Sequence, residues 1–376
     1  MSVRARLVGA TALVLAVALA GPATAQAAAP GGHGGHGATR AALGAAVAGG
    51  VPGATATARE GADTWSAGEG VGDLRTGAPR GTHDRYRVGS ITKTFTATVL
   101  LQLEAEGRLS LDDTVDRRLP GLVRGHGNDG RLITLRQLLN HTSGVYNYTS
   151  DKAFGRAYFD KDGFFRHRYE TVRPEDLVRI ALSHEPDFAP GTSWNYSNTN
   201  YVLAGLVIER VTGHSYAREI RDRILRPLHL AATSLPGTRV TVPHPSSRAY
   251  SRLGASAGPA YDVTELNPSI ASSAGEMISD SADLTRFYSA LLRSRLLPPR
   301  QLREMKTTVP GTGYGLGLME RTLSCGVHVW GHDGGIHGSS SSATTTADGR
   351  HALAFNYNGD WADESDAVLQ AEYCGG

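Results

Sequence analysis

The chain is 376 residues long, 40% hydrophobic and 20% charged, with Lys+Arg 38 against Asp+Glu 36 and a formal charge of +2. Arg4 and Arg6 account for that excess, so the remainder is balanced and gives no electrostatic reason to expect nucleic acid or an anionic membrane as partner. The length allows one large domain or two intertwined lobes.

In chain order, the N-terminus reads as an export signal. Arg4 and Arg6 precede an apolar run from Leu7 to Ala20, and "ATAQA" offers small-residue cleavage sites near Ala25 or Ala27. The run is too short and wrongly flanked to span a bilayer, and no second one follows. The expectation is a signal peptide over 1–27 and a secreted protein without a membrane span. A Gly/His/Ala stretch over 28–42, with His33 and His36, is expected to be a flexible tail. A single catalytic domain is expected over 43–374.

"VPGATATARE" and "DTWSAGEG" alternate as strands do. "RVGSITKTFTATVLLQLEAEG" (87–107) then predicts a helix with Phe95, Val99, Leu100 and Leu103 as its apolar stripe and Gly107 as its cap. From about 110 to 300 the pattern is mostly helical. "TLRQLLNHTSG" predicts a short helix ending near Gly144, and "RPEDLVRIALSHE" one with Pro174 in its first turn. "NTNYVLAGLVIERVTG" is capped by Gly213, and "SADLTRFYSALLRSRLL" stops at Pro298. Period two returns from 313, with Asp348-Gly349 as a hairpin turn, and a last helix is predicted over 361–373. Strands at both ends of a helical middle predict an α+β fold. One antiparallel sheet is built from the N- and C-terminal strands and flanked by helices, with a mostly helical lobe inserted. The predicted lobes are 43–108 with 305–374, and 109–304.

Three short motifs carry chemistry. Ser90 and Lys93, three apart at a helix start, share one face, and the helix N-terminus favours a developing alkoxide. Lysine can lose its proton when desolvated, which arginine does not, and a neutral lysine can serve a serine as base. Lys93 is one of only four lysines among 34 arginines. "WNYSNTNY" places Tyr196 and Asn198 in a loop before a helix, and "VWGHDGG" places His332, Gly334 and Gly335 at a strand end. S-x-x-K alone is a weak signal; the set S-x-x-K, Y-x-N, [KH]-x-G, in that order and widely spaced, is a strong one.

The set resembles that of the penicillin-recognising serine hydrolases, the penicillin-binding proteins and class C β-lactamases. "VGSITKTFTATVLLQLEAEGRLSLDDTV", "LRQLLNHTSGVYNYT", "PGTSWNYSNTNYVLAGLVIERVTGHS" and "YGLGLMERTLSCG" are similar to secreted D-alanyl-D-alanine carboxypeptidases. The resemblance implies a serine β-lactamase/penicillin-binding-protein-like fold and an acyl-enzyme mechanism. It implies a small peptide of peptidoglycan type or a β-lactam as substrate, acylation by penicillins, and no cofactor. Ser90 is then the nucleophile, Lys93 and Tyr196 shuttle the proton, and His332 relays hydrogen bonds to Tyr196. Asn198 holds the substrate amide, and Ser90 and a residue near Gly335 form the oxyanion hole. A monomer is expected. Cys325 and Cys374, the only cysteines, are expected to form one disulfide in an exported chain, and a late pair also matches that subgroup.

The chain departs from the carboxypeptidases where they grip a terminal carboxylate. Met319 and Glu320, not an arginine, follow "YGLGL", and the third motif has no hydroxyl. Asp333 at about 4 Å would repel a carboxylate by roughly 4 kcal/mol at an effective dielectric near 20. By strand alternation Arg321 emerges beside Met319 and is expected to take the carboxylate, with Gly334 and Gly335 lining the site. The alternative is a β-lactamase-family esterase or D-amino-acid amidase, with Asp333 binding an amine. Other motifs have simpler readings. "TGHSYA" around Ser215 lacks the second glycine of a lipase elbow, and its Gly213 is a helix cap. His332, Asp333 and His337 lack a metal-binding pattern, so no metal is expected. His141, at a helix end, is expected to be structural.

Overall fold

The computed structural model describes residues 35–361 and 365–375. The expected signal peptide, His33 and the first part of the expected tail lie outside the described residues.

The strands β1 (Gly53–Glu60), β2 (Asp63–Asp73), β3 (Ala78–Pro79), β4 (Met319–Thr322), β5 (His328–Ile336), β6 (Ser339–Thr346) and β7 (His351–Tyr357) form one antiparallel sheet. Its order is β4-β5-β6-β7-β1-β2-β3. The first and last long strands, β1 and β7, pair at its centre, with Thr57 opposite Ala354. Small residues suit β1 to that place. Ala54, Ala56 and Ala58 join the core on one face, and Thr55 and Thr57 are buried on the other.

Helix α1 (Gly37–Ala48) lies on the alanine face, so the stretch 28–42 is not a flexible tail from Gly37 onward. Its Gly/Ala composition looks like low complexity, yet alanine is the best helix former, and Leu43 and Ala46 are buried against the sheet. The chain continues through α2 (Thr92–Ala105), α3 (Leu135–Leu139), α4 (Pro174–Leu182) and α5 (Asn198–Thr212). A Thr134–Gln137 capping box starts α3, Pro174 occupies the first turn of α4, and Gly213 ends α5 in a left-handed conformation at φ 75°. Helix α6 (Ser281–Leu292) was expected in the helical lobe and to run toward Pro298. It ends at Leu292 and packs across β6, β7 and β1 on the threonine face, with Leu284, Phe287 and Leu291 in the same core as Ala354. A 3.6-residue stripe predicts that a helix is buried, not what it is buried against. Helix α7 (Ser365–Cys374) joins α1, and Cys374 is disulfide-bonded to Cys325 in the β4–β5 turn, with Cα atoms 5.8 Å apart.

Candidate active site

Ser90 lies in a tight turn, Gly89–Ile91, that leads into α2. Strand β4 pairs with β5 only as far as Gly331, so the continuation of β5 is free of β4 where it meets this turn. The two backbones press together at glycines. Gly89 has φ 52°, and a Cβ there would lie 2.7 to 2.9 Å from the Gly335 backbone; a Cβ on Gly334 would overlap the Val88 carbonyl. The third motif is therefore held against Ser90 by contacts that only glycine permits.

Lys93, one helical turn on, is fully buried. Its Nζ is 2.9 Å from Ser90 Oγ, 2.7 Å from Asn198 Oδ1 and 2.8 Å from the Ala274 carbonyl. Burial pushes its pKa far below the usual lysine value. The geometry suits the neutral amine: two N–H groups donate to the two carbonyl oxygens, and the lone pair faces the Ser90 hydroxyl.

The Tyr196–Asn198 loop is pinned at the start of α5. The Ser197 N–H and Asn200 Nδ2 both donate to His141 Nδ1, at 3.2 and 3.1 Å. Asn198 donates from its backbone to Asn147 Oδ1 and from Nδ2 to Thr149 Oγ1. His141 thus acts as the loop's anchor, while Asn198 orients Lys93 as well as facing the cavity beside Ser90. The Tyr196 ring centroid is 4.8 Å from Lys93 Nζ. Burial raises the Tyr196 phenol well above its ordinary pKa, opposed by a hydrogen bond with Ser90, so the group stays protonated.

His332 is buried, and its hydrogen bonds run to partners other than Tyr196. Its Nδ1–H donates to the Asp333 carbonyl at 2.5 Å, leaving Nε2 to accept the Tyr314 hydroxyl at 2.9 Å, and the Tyr196 ring centroid is 6.3 Å away. Burial first, then the nearby Arg321 cation, hold His332 neutral. Tyr314 was missed in the sequence, although "YGLGL" singled out its segment. Gly317 of that segment, at φ 69°, accepts Thr94 Oγ1 on its carbonyl and brings the loop against α2.

Arg321 does not take up the role expected of it. Its guanidinium is ion-paired with Asp333 and lies 3.8 Å from Asp366. Alternation placed Arg321 on its face correctly; the partner across the neighbouring strand could not be read from one strand's period. The same pair removes Asp333 as a free amine ligand. Ser215 caps a short helix by accepting the Arg218 N–H.

Beside Ser90 opens a cavity of about 380 Å³ whose lining includes Asn198, Gly335, Tyr148, Phe154, Phe159 and Leu253. No lysine or arginine lines it among the described residues. A serine beside a neutral amine, next to an apolar cavity and two converging backbones, can form and resolve an acyl-enzyme. The beta-lactamase family profile matches residues 33–373.

The chain belongs to the beta-lactamase family.

Among solved members with this fold, it is 61% identical to a D-stereospecific amidohydrolase from Streptomyces sp., with 91% of this chain and 100% of that one covered at a TM-score of 0.87. It is 29% identical to the D-amino acid amidase of Ochrobactrum anthropi SV3, over 89% of this chain and 97% of that one, at a TM-score of 0.75. Among curated proteins, Protein flp of Staphylococcus aureus is 36% identical over 154 residues, 41% of this chain. That match spans only 28% of the length of the curated relative. The chain is a serine hydrolase of the beta-lactamase family.

Proposed function

We propose that this hydrolase is a D-stereospecific amidohydrolase, releasing ammonia or an amine from D-amino-acid amides and an alcohol from the corresponding esters, rather than a D-alanyl-D-alanine carboxypeptidase. The observation that carries this reading is that no lysine or arginine lines the cavity beside Ser90 among the described residues, while Arg321 is held by Asp333 outside that lining, which leaves a terminal carboxylate without a partner there. The likeness to the Streptomyces amidohydrolase supports it.

In the proposed mechanism neutral Lys93 takes the Ser90 proton as Oγ attacks the substrate carbonyl. The oxyanion forms between the N–H groups of Ser90 and Gly335. Tyr196, kept protonated, donates to the departing nitrogen and is reprotonated through Lys93, and the amine leaves. Water then attacks the acyl ester with Lys93 again as base, freeing the acid and Ser90. Asn198 and Ala274 hold the lysine in place, and His332 with Tyr314 holds the β5 strand behind it.

The test is release of ammonia from D- and L-phenylalanine amide, beside release of D-alanine from an acyl-D-Ala-D-Ala peptide. Turnover of the D-amide at least 100-fold above the L-amide is expected, and Ser90→Ala should abolish it. Faster release of D-alanine from the peptide than of ammonia from the D-amide would return the carboxypeptidase reading.

A further inference from the structure

The catalytic groups leave the far end of the cavity unexplained. There the hairpin between β5 and β6 turns at His337 and Gly338. His337 is only 7% exposed; its Nε2–H donates to the Tyr158 carbonyl at 2.6 Å, and the rings of Phe164 and Phe159 flank it. That bond fixes the tautomer, so Nδ1 carries a lone pair, and this buried atom has no hydrogen-bond partner. Asp360 lines the same end. Its Oδ2 accepts the Gly338 N–H at 2.9 Å, and no arginine or lysine pairs with its carboxylate among the described residues. One end of the cavity thus holds a carboxylate and, beside it, a buried imidazole with an unpartnered lone pair; no lysine or arginine lines the cavity among the described residues, and Arg87, which acts on His337 electrostatically, lies outside that lining.

We propose that Asp360 and His337 form a subsite for a primary ammonium group at the distal end of the substrate's acyl part. The tip of the hairpin lies two to three residues beyond Gly335, roughly 7–10 Å at the rise of a strand. The α-amine of an amino-acid amide, two bonds from the reacting carbonyl, is too close to reach it. An ammonium five or six bonds away spans about 7–8 Å and fits. Two acyl groups have that reach: a D-lysyl side chain, and a D-dipeptidyl group through its own N-terminus. The apolar wall between Ser90 and the hairpin tip covers the intervening methylenes or backbone. This inference rests on the amidohydrolase reading for the orientation of the acyl group in the cavity.

Binding to the Ser90→Ala protein, measured by calorimetry, separates the subsite from turnover. One arm compares D-lysinamide with D-norleucinamide; the other compares D-alanyl-D-norleucinamide with its N-acetyl derivative. In at least one arm the ammonium-bearing ligand should bind tenfold or more tightly, the size of a charge-assisted hydrogen bond. Which arm responds identifies the source of the ammonium. Adding Asp360→Asn, which keeps an oxygen for Gly338, should bring that ratio to about one. Equal binding in both arms, which needs no Asp360 variant, overturns the proposal, as does a preference that survives Asp360→Asn. A preference in binding with no release of ammonia by the wild type from any D-amide leaves the subsite standing and removes the amidohydrolase reading. D-specific turnover without a preference does the reverse.

Discussion

Lys93 touches three oxygens and no carboxylate, so nothing compensates a charge placed on it. Lys93→Arg, which places a permanent charge there and loses the base, should lower acylation at least 100-fold in a stopped-flow assay with an activated D-amino-acid ester. The sign of the pH effect follows from the depressed pKa. Protonation below the folded-state value disables the base, so kcat/KM should fall on the acid side. The unfolded lysine binds its proton up to its ordinary pKa, so the Lys93 contribution to stability grows with pH between the two values and vanishes as pH falls through the lower one. A second expectation concerns the two glycines of the third motif. Gly334→Ala would drive a methyl into the Val88 carbonyl, whereas a methyl on Gly335 meets nothing within 4 Å. Gly334→Ala should lower the melting temperature by several degrees and cut kcat by more than tenfold, and Gly335→Ala should leave the melting temperature within a degree or two. Equal melting temperatures would show that strand and turn are not in this contact. Ser90, Lys93 and Tyr196 could be singled out in the sequence because the proposed chemistry depends on residue type at fixed local spacing, and the structure brings Lys93 Nζ to 2.9 Å from Ser90 Oγ. The partners of His332 and Arg321 could not, because Tyr314 and Asp333 approach them from other parts of the chain.

The helices flanking the sheet show the same division between local and distant information. Pro174 and Gly213 mark helix ends within a few residues of sequence and were read there, whereas the Thr134 cap was not, and the short helix expected to end near Gly144 stops at Leu139. The docking of α1 was not readable there, because it is fixed by α7. Glu372 of α7, its side chain almost wholly buried, accepts Thr39 Oγ1 at 2.6 Å, His351 Nε2 at 2.7 Å and His36 Nδ1 at 3.0 Å. Burial alone would raise its pKa, but the hydrogen bonds from His351, Thr39 and His36 outweigh it and hold the carboxyl below its ordinary value. Its contribution is therefore present above the unfolded pKa and lost as pH falls through the folded one. Glu372→Gln should cost about 1–3 kcal/mol at pH 7 in denaturant unfolding and flatten the loss of stability on the acid side. An unchanged acid limb would show that another carboxylate sets it.

The disulfide ties the β4–β5 turn to α7 and closes a loop with a sequence separation of 49. On the chain-entropy account that closure is worth roughly 4 kcal/mol. Cys325→Ser with Cys374→Ser should lower the unfolding midpoint accordingly, with activity retained under native conditions because neither cysteine lines the cavity. Loss of activity in a still-folded double variant would instead mean that α7 positions the site through the sheet. The composition of the sheet from both ends of the sequence was legible from its two stretches of period two, whereas the seat of α6 on that sheet was not. The pairing of β1 with β7 also sets an order of events during synthesis. Thr57 leaves the ribosome about 300 residues before its neighbour Ala354, and at roughly 5–20 residues per second it waits some 15 to 60 seconds for that partner. Gly334, which presses against the turn of Ser90, emerges equally late. A nascent chain therefore carries Ser90 and Lys93 long before it has the strand that the folded protein sets against them.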